Sequence, residues 1–253
     1  MYNVTDKQIS KLEKIDQMLF RKLLNRPRSA PREGMYMECG KLPVRFVVKT
    51  RRLMYFWHVM HKEKHEILYR FLSAQQLSSS RTDWIQQVRR DMLEIKLVLS
   101  DSEVENMSKE TFKKLLKQKI EISAVKYLNE IKKSHSKTSE IKFSKFQTAE
   151  YMKSNQLNKE EVETLYKLRN RVIDIKENYK SSYQQNMWCR TCFLFRESQP
   201  HLLQCPTILN KLKSEIDFKL IDYNMLFSTP AKIAKMYTII LKTRIDLIEE
   251  LRN

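Results

Sequence analysis

SKETFKKLLKQKIEISAVKYLNEI, residues 108–131, decides the fold class. Ser108 can cap a helix. Phe112, Leu115, Leu116, Ile120, Val125 and Leu128 then recur at three- to five-residue spacing, as one face of a helix requires. Lysines take the opposite face: Lys109, Lys113, Lys114, Lys117 and Lys119. The stretch holds no glycine and no proline, and its apolar residues do not alternate as a strand's would.

The same period extends outward. Upstream, 84–99 predicts a helix with Trp84, Val88, Leu93 and Ile95 inside and Arg89 and Arg90 outside, after a break at 78–83. Residues 44–72 predict another, rich in aromatics (Phe46, Tyr55, Phe56, Trp57), with a basic face of Arg45, Lys49, Arg51 and Arg52. Residues 25–43 carry both glycines, Gly34 and Gly40, and three of the six prolines. They predict a connector with one short helical turn at most. Residues 5–24 predict a first helix, in which Ile9, Leu12, Ile15, Leu19 and Leu23 recur at three- and four-residue spacing. Downstream, 134–145 is polar and basic. Asn158 then caps a charged helix whose buried seam is Leu165, Leu168, Val172 and Ile175. The tail, 208–251, is helical, with Leu212, Ile216, Ile233, Tyr237, Ile240, Leu241, Ile245, Leu247 and Leu251 as its apolar positions. The expected organisation is a mainly α chain: a bundle-like helical domain at 1–133, a linker or exposed loop at 134–157, and a helical segment at 158–253 with a small metal unit at 189–206.

Two glycines in 253 residues argue against sheet-rich folds, whose turns need positive φ, and exclude glycine-rich phosphate loops. Lysine and arginine number 48 against 30 acidic residues, a net charge of +18. Such a field attracts polyanions. No apolar run long enough to cross a membrane occurs, and the N-terminus lacks the apolar core of a signal peptide. Three clustered cysteines of four do not form a secreted disulfide framework, so the expected compartment is intracellular and reducing, nuclear and/or cytoplasmic.

Cys189, Cys192, His201 and Cys205 have the spacing C-x2-C-x8-H-x3-C. Two cysteines two residues apart can aim both sulfurs at one ion, and a nearby His–Cys pair completes a tetrahedron. Three thiolates and one imidazole fill every position, which predicts structural Zn2+ with no water to activate. Trp188, Phe193, Leu194 and Phe195 on the first half, with Leu202 and Leu203 between the last two ligands, are expected to form a small cap over the metal, and Pro206 ends the unit. Cys39 is isolated and reads as incidental. His58, His61 and His65 would share a face if the helix ran through them. The residues between do not complete a zinc-protease pattern, and polar surface or nucleic-acid contact is the preferred reading.

Arg45, Lys49, Arg51, Arg52, Arg89, Arg90, Lys113, Lys114 and Lys117 are the candidate nucleic-acid contacts. The lysine face at 109–119 reads equally as solvated surface. No catalytic carboxylate pair or Ser-His-Asp set is legible, and Glu215, Asp217 and Asp222 form no nuclease signature. No catalytic residue and no small-molecule substrate are expected.

MYNVTDKQI at 1–9, LEKIDQMLFRKLL at 12–24, PREGMYMECGKLPVRF at 31–46 and KTRRLMY at 49–55 resemble the region after the palm in non-LTR (LINE-type) retrotransposon reverse transcriptases. HLLQCP at 201–206, with Cys189 and Cys192, resembles the cysteine motif that follows it. The resemblance implies a helical thumb and a zinc unit that handle template and primer. It implies that fingers and palm, with the catalytic aspartates, would precede Met1, so that this chain is a non-catalytic C-terminal fragment of a transposable element. Its expected partners are RNA and/or DNA and the polymerase palm, with no membrane. The alternative is a protein-interaction module without nucleic-acid binding.

Overall fold

The computed structural model describes residues 4–25, 30–77, 83–134, 136–138, 141, 143–182, 186–212, 226 and 229–252. It is mainly α-helical, and among the described residues the one extended pairing is an isolated antiparallel bridge between Trp188 and Arg196. In chain order the helices are α1 (Asp6–Leu23), α2 (Arg32–Cys39), α3 (Val44–Met60), α4 (Ile67–Leu77), α5 (Trp84–Glu94), α6 (Asp101–Glu105) and α7 (Lys109–Lys133). There follow α8 (Glu150–Lys153), α9 (Lys159–Arg169), α10 (Gln199–Gln204), α11 (Pro206–Lys211) and α12 (Pro230–Glu250). No described helix is long and apolar enough to cross a membrane.

The chain divides into two compact units. The first comprises Met1–Leu19, Gly40–Ile131 and Phe143–Phe146; the second comprises Phe20–Cys39, Lys132–Lys142 and Gln147–Asn253. Within the stretch expected as a linker, Thr138, Ile141, Tyr151 and Leu157 are buried.

In the first unit, Phe46, Leu53, Phe56 and Val59 of α3 pack with Trp84, Ile85 and Val88 of α5 and Phe112, Leu116 and Ile120 of α7. Of the expected α7 stripe, Phe112, Leu116, Ile120 and Leu128 are buried and Leu115 and Val125 half-buried; Ala124, not expected in it, is buried where the i, i+4 row continues. The helix expected over 44–72 is broken. α3 ends at Met60, where His61 stacks on Trp57 with ring centroids 3.9 Å apart, and α4 starts at Ile67. The helix expected to reach Leu99 stops at Glu94. There the Leu97 N–H donates to the Met92 carbonyl at 2.8 Å and the Lys96 N–H to Leu93 at 3.0 Å, which is a Schellman closure. That closure puts Lys96 at φ 55, where glycine is usual. Leu93, expected inside, is exposed. Ser100 and Glu103 then form a reciprocal capping box that starts α6.

The second unit is built on α9 against α12. Leu165, Leu168, Ile233, Tyr237 and Ile240 share its core with Leu202, Leu203 and Ile208. Asn158 caps α9 as expected, with Glu161 completing the box, and Val172 and Ile175 are buried with the seam. On α12, Ile245 is exposed, and so is Leu251 just past its end. Ile216 lies outside the described residues.

The connector expected at 25–43 contains α2, an eight-residue helix with Glu33 through Glu38 buried. Its burial explains the glycine: a Cβ on Gly34 would stand 1.6 Å from the Asn170 side-chain oxygen. Arg169 meets Glu38 at 2.8 Å, and the Ala149 N–H donates to the Glu38 carbonyl at 2.8 Å, which fixes α2 in this unit. α1 forms where the spacing predicts, but of its expected stripe only Ile9 is buried; Leu12, Ile15, Leu19 and Leu23 are exposed.

Candidate metal centre

The bridge between Trp188 and Arg196 closes a tight turn. The Cys189 N–H donates to the Phe195 carbonyl at 2.7 Å, and the Phe193 N–H donates back to Cys189 at 3.0 Å. This turn holds Cys189 and Cys192 side by side. Ser198 then caps α10, its side chain accepting from the His201 N–H at 3.2 Å, and Pro200 sits in the first turn, where its missing N–H costs nothing. His201 thereby lies one turn into α10, and Cys205 lies at the junction of α10 and α11.

The four donor atoms lie within 4.8 Å of one another, so these residues form a cluster that could hold a metal ion. The sulfurs of Cys189 and Cys205 are 3.9 Å apart, and Cys192 Sγ is 3.4 Å from His201 Nε2. Tetrahedral coordination with metal–sulfur bonds of about 2.3 Å places two sulfurs about 3.8 Å apart. The spacing therefore fits one shared ion and is far beyond a disulfide bond. All four cysteines are free. The cluster is mostly buried, and the Thr191 hydroxyl lies 3.1 Å from Cys189 Sγ and 3.2 Å from Cys205 Sγ. The hydrogen bond from Cys205, aided by Thr191, brings the Cys189 thiol down to about 4, and the same pairing pushes Cys205 up. The pair thus favours at least one thiolate, the form that binds metal.

Two features around the ligands were not legible in the sequence. Glu197, fully buried, accepts from Arg190 Nε at 3.1 Å, from Arg244 Nη2 at 2.8 Å and from the Lys176 N–H at 2.8 Å. It ties the cysteine turn to α12. Gln199 donates to the Leu168 carbonyl at 3.0 Å, and the Tyr237 hydroxyl donates to the Gln199 carbonyl at 2.8 Å. These bonds mount α10 on α9 and α12. Of the expected cap, Leu202 and Leu203 are buried in one core with Cys189 and Cys205, whereas Trp188, Phe193, Leu194 and Phe195 are each more than half exposed, the Phe195 ring lying 5.6 Å from that of His201. Ile208 of α11 shares that core.

The candidate nucleic-acid contacts are scattered in kind. Arg52 is buried against Asp91 at 2.5 Å, a structural ion pair inside the first core. Arg45 is held by Glu13 at 2.8 Å and lies over the Tyr127 ring, and Lys49 contacts Glu94. Arg89 bonds Asp101 at 2.9 Å. Arg51, Arg90, Lys113, Lys114 and Lys117 are exposed. Phe46 and Phe56 are core residues, and the Trp57 indole donates to the Met107 carbonyl at 3.0 Å. His58, His61 and His65 do not share a helical face, because α3 ends at Met60. Glu215, Asp217 and Asp222 lie outside the described residues. Comparison of the chain with family models, with curated proteins and with solved structures finds no match.

Proposed function

We propose that this chain binds nucleic acid, RNA and/or DNA, through basic helices, with a structural Zn2+ held by Cys189, Cys192, His201 and Cys205. The observation that carries the reading is the outer face of α7, where Lys113, Lys114 and Lys117 stand exposed on a 25-residue helix of a chain with net charge +18. Exposed cations fixed on a rigid rod suit phosphate contacts. The segments that resemble non-LTR reverse transcriptases support the same reading and point to template and primer handling in the nucleus and/or cytoplasm. Zinc is favoured by the donor set, since three thiolates and one imidazole at tetrahedral spacing are a closed zinc site. The ion would cross-link the cysteine turn to α10 and, with no open position, would activate no water. The reading assigns the chain no catalysis.

The test is binding of zinc-loaded protein to single-stranded RNA, duplex DNA and an RNA–DNA hybrid across a salt series. Affinity falls by about 0.7–0.9 log units per log unit of salt for each phosphate contact. Replacing Lys113, Lys114 and Lys117 by alanine lowers that slope. Binding that ignores salt refutes the reading. Bound zinc is counted by mass spectrometry under native conditions, and Cys189→Ser is expected to lose it.

The exposed group of Trp188, Phe193, Leu194 and Phe195 favours a second reading, a protein-interaction module. It requires salt-insensitive association with a protein partner that Trp188→Ala weakens.

A further inference from the structure

A cavity of about 360 Å³ in the first unit is lined by the first half of α3, the end of α5 and the middle of α7. Five cations face it: Arg45 and Lys49 from α3, Lys96 from the α5 terminus, and Lys119 and Lys126 from α7. They are up to 81 positions apart in the chain, so no basic run announces them. Only two carboxylates share the lining. Glu94 contacts Lys49, and Glu130 lies 3.7 Å from Lys126. Arg45 is occupied by Glu13. The ammonium groups of Lys96 and Lys119 have no ion-pair or hydrogen-bond partner among the described residues, and the backbone closure of α5 fixes the Lys96 backbone at the cavity's edge. The floor is apolar, with Phe46, Ile95 and Tyr127.

Cations gathered in a concave site repel one another more than on an open surface, because low-dielectric walls focus the field. The fold holds them together nonetheless. The Lys49 ammonium is already pushed toward its neutral form by burial, which together with the charges of Arg45 and Arg52 outweighs the opposing charges of Asp91 and Asp6. An anion in the cavity would relieve that repulsion, and one of more than unit charge would relieve it best. The volume lies near the lower end of the range that small ligands fill, about 300–1,000 Å³.

We propose that this cavity binds a phosphate group, carried by a small phosphorylated molecule or by a nucleic-acid backbone. Lys96 and Lys119 are its free donors, and Arg45, Lys49 and Lys126 supply the surrounding field. The site stands on the cavity alone and requires neither the metal centre nor the outer face of α7.

The test is calorimetric titration of the full chain with sodium tripolyphosphate at fixed ionic strength. Saturable binding is expected. The double variant Lys96→Gly/Lys119→Ala weakens it by about tenfold or more, the worth of a charge-assisted hydrogen bond. Glycine is chosen at 96 because the φ of 55 suits it, and circular dichroism verifies that the variant folds. Lys153→Ala/Lys159→Ala removes the same charge from exposed positions of the second unit and leaves the affinity unchanged. Absence of saturable binding, or an equal loss in both double variants, overturns the proposal. Displacement of tripolyphosphate by a single-stranded oligonucleotide identifies a backbone as the source of the phosphate; persistence of its binding identifies a small phosphorylated molecule. Failure of the nucleic-acid reading would show separately, in the salt series on the Lys113, Lys114 and Lys117 variant.

Discussion

Glu197→Gln tests whether the carboxylate beside the metal cluster is a structural hub. The side chain is fully buried, and both oxygens accept only from N–H groups, those of Arg190, Arg244 and Lys176. Glutamine keeps the shape but turns one acceptor into a donor. Whichever way the amide flips, N–H faces N–H. It also leaves Arg244, itself buried, without its counter-charge. Removing one partner of a buried pair costs about 3–5 kcal/mol. Arg190 is partly exposed and keeps Asp174 at 3.1 Å, so the lower end, about 3 kcal/mol, is expected. Urea unfolding of the zinc-loaded protein at neutral pH measures it. Burial alone would raise this carboxyl, but the hydrogen bond from Arg190 and the charge of Arg244 outweigh it, and the folded value lies below the ordinary one. Its stabilisation is therefore fully present above the unfolded carboxyl range, about 4.3, and is lost as pH falls through the folded value. The gap between wild type and variant should narrow below about pH 4. A loss under about 1 kcal/mol at neutral pH, or a gap that does not depend on pH, would refute the reasoning.

Three further outcomes follow from the backbone and its caps. Gly34→Ala should lower stability by about 1–3 kcal/mol through overpacking against buried Asn170, although alanine is the better helix former by about 1 kcal/mol; an unchanged denaturation midpoint would show that Asn170 moves aside. Lys96→Gly should raise stability by about 1 kcal/mol, since it removes the Cβ from a left-handed position, and a lower melting temperature would contradict this. Asn158→Ala should cost about 1 kcal/mol by opening the α9 capping box, whereas Asn158→Ser should cost little, with chemical denaturation as the measure.

The helical class was legible because two glycines and a long 3.6-residue period leave little else. The α9 start was legible because Asn158 and Glu161 satisfy each other locally. The four metal ligands were legible because the chemistry demands those residue types at short spacing, and the structure brings them together. What failed to read depends on partners far along the chain. α2 looked like a connector because Pro31 and Gly34 are turn residues in isolation. Gly34 answers instead to Asn170, which the sequence does not place beside it. Arg52 read as part of a basic face, yet its charge is spent on Asp91 of α5. Nothing in residues 61–66 forbids a helix, and α3 ends there through the packing of His61 on Trp57. The α1 stripe has the right period and stays exposed, because period measures amphipathicity and not the presence of a covering surface.

The mounting of α10 has a consequence for cooperativity. His201 sits on, and Cys205 just past, a short helix whose first residue, Gln199, is bonded into the α9–α12 pair through Leu168 and Tyr237. A six-residue helix has little stability of its own. Its amide protons should therefore exchange with solvent only when the whole second unit opens in the zinc-loaded protein. Once the ion is stripped, they should exchange by local opening, while those of α12 remain protected. The metal then sets the size of the cooperative block and not merely its strength.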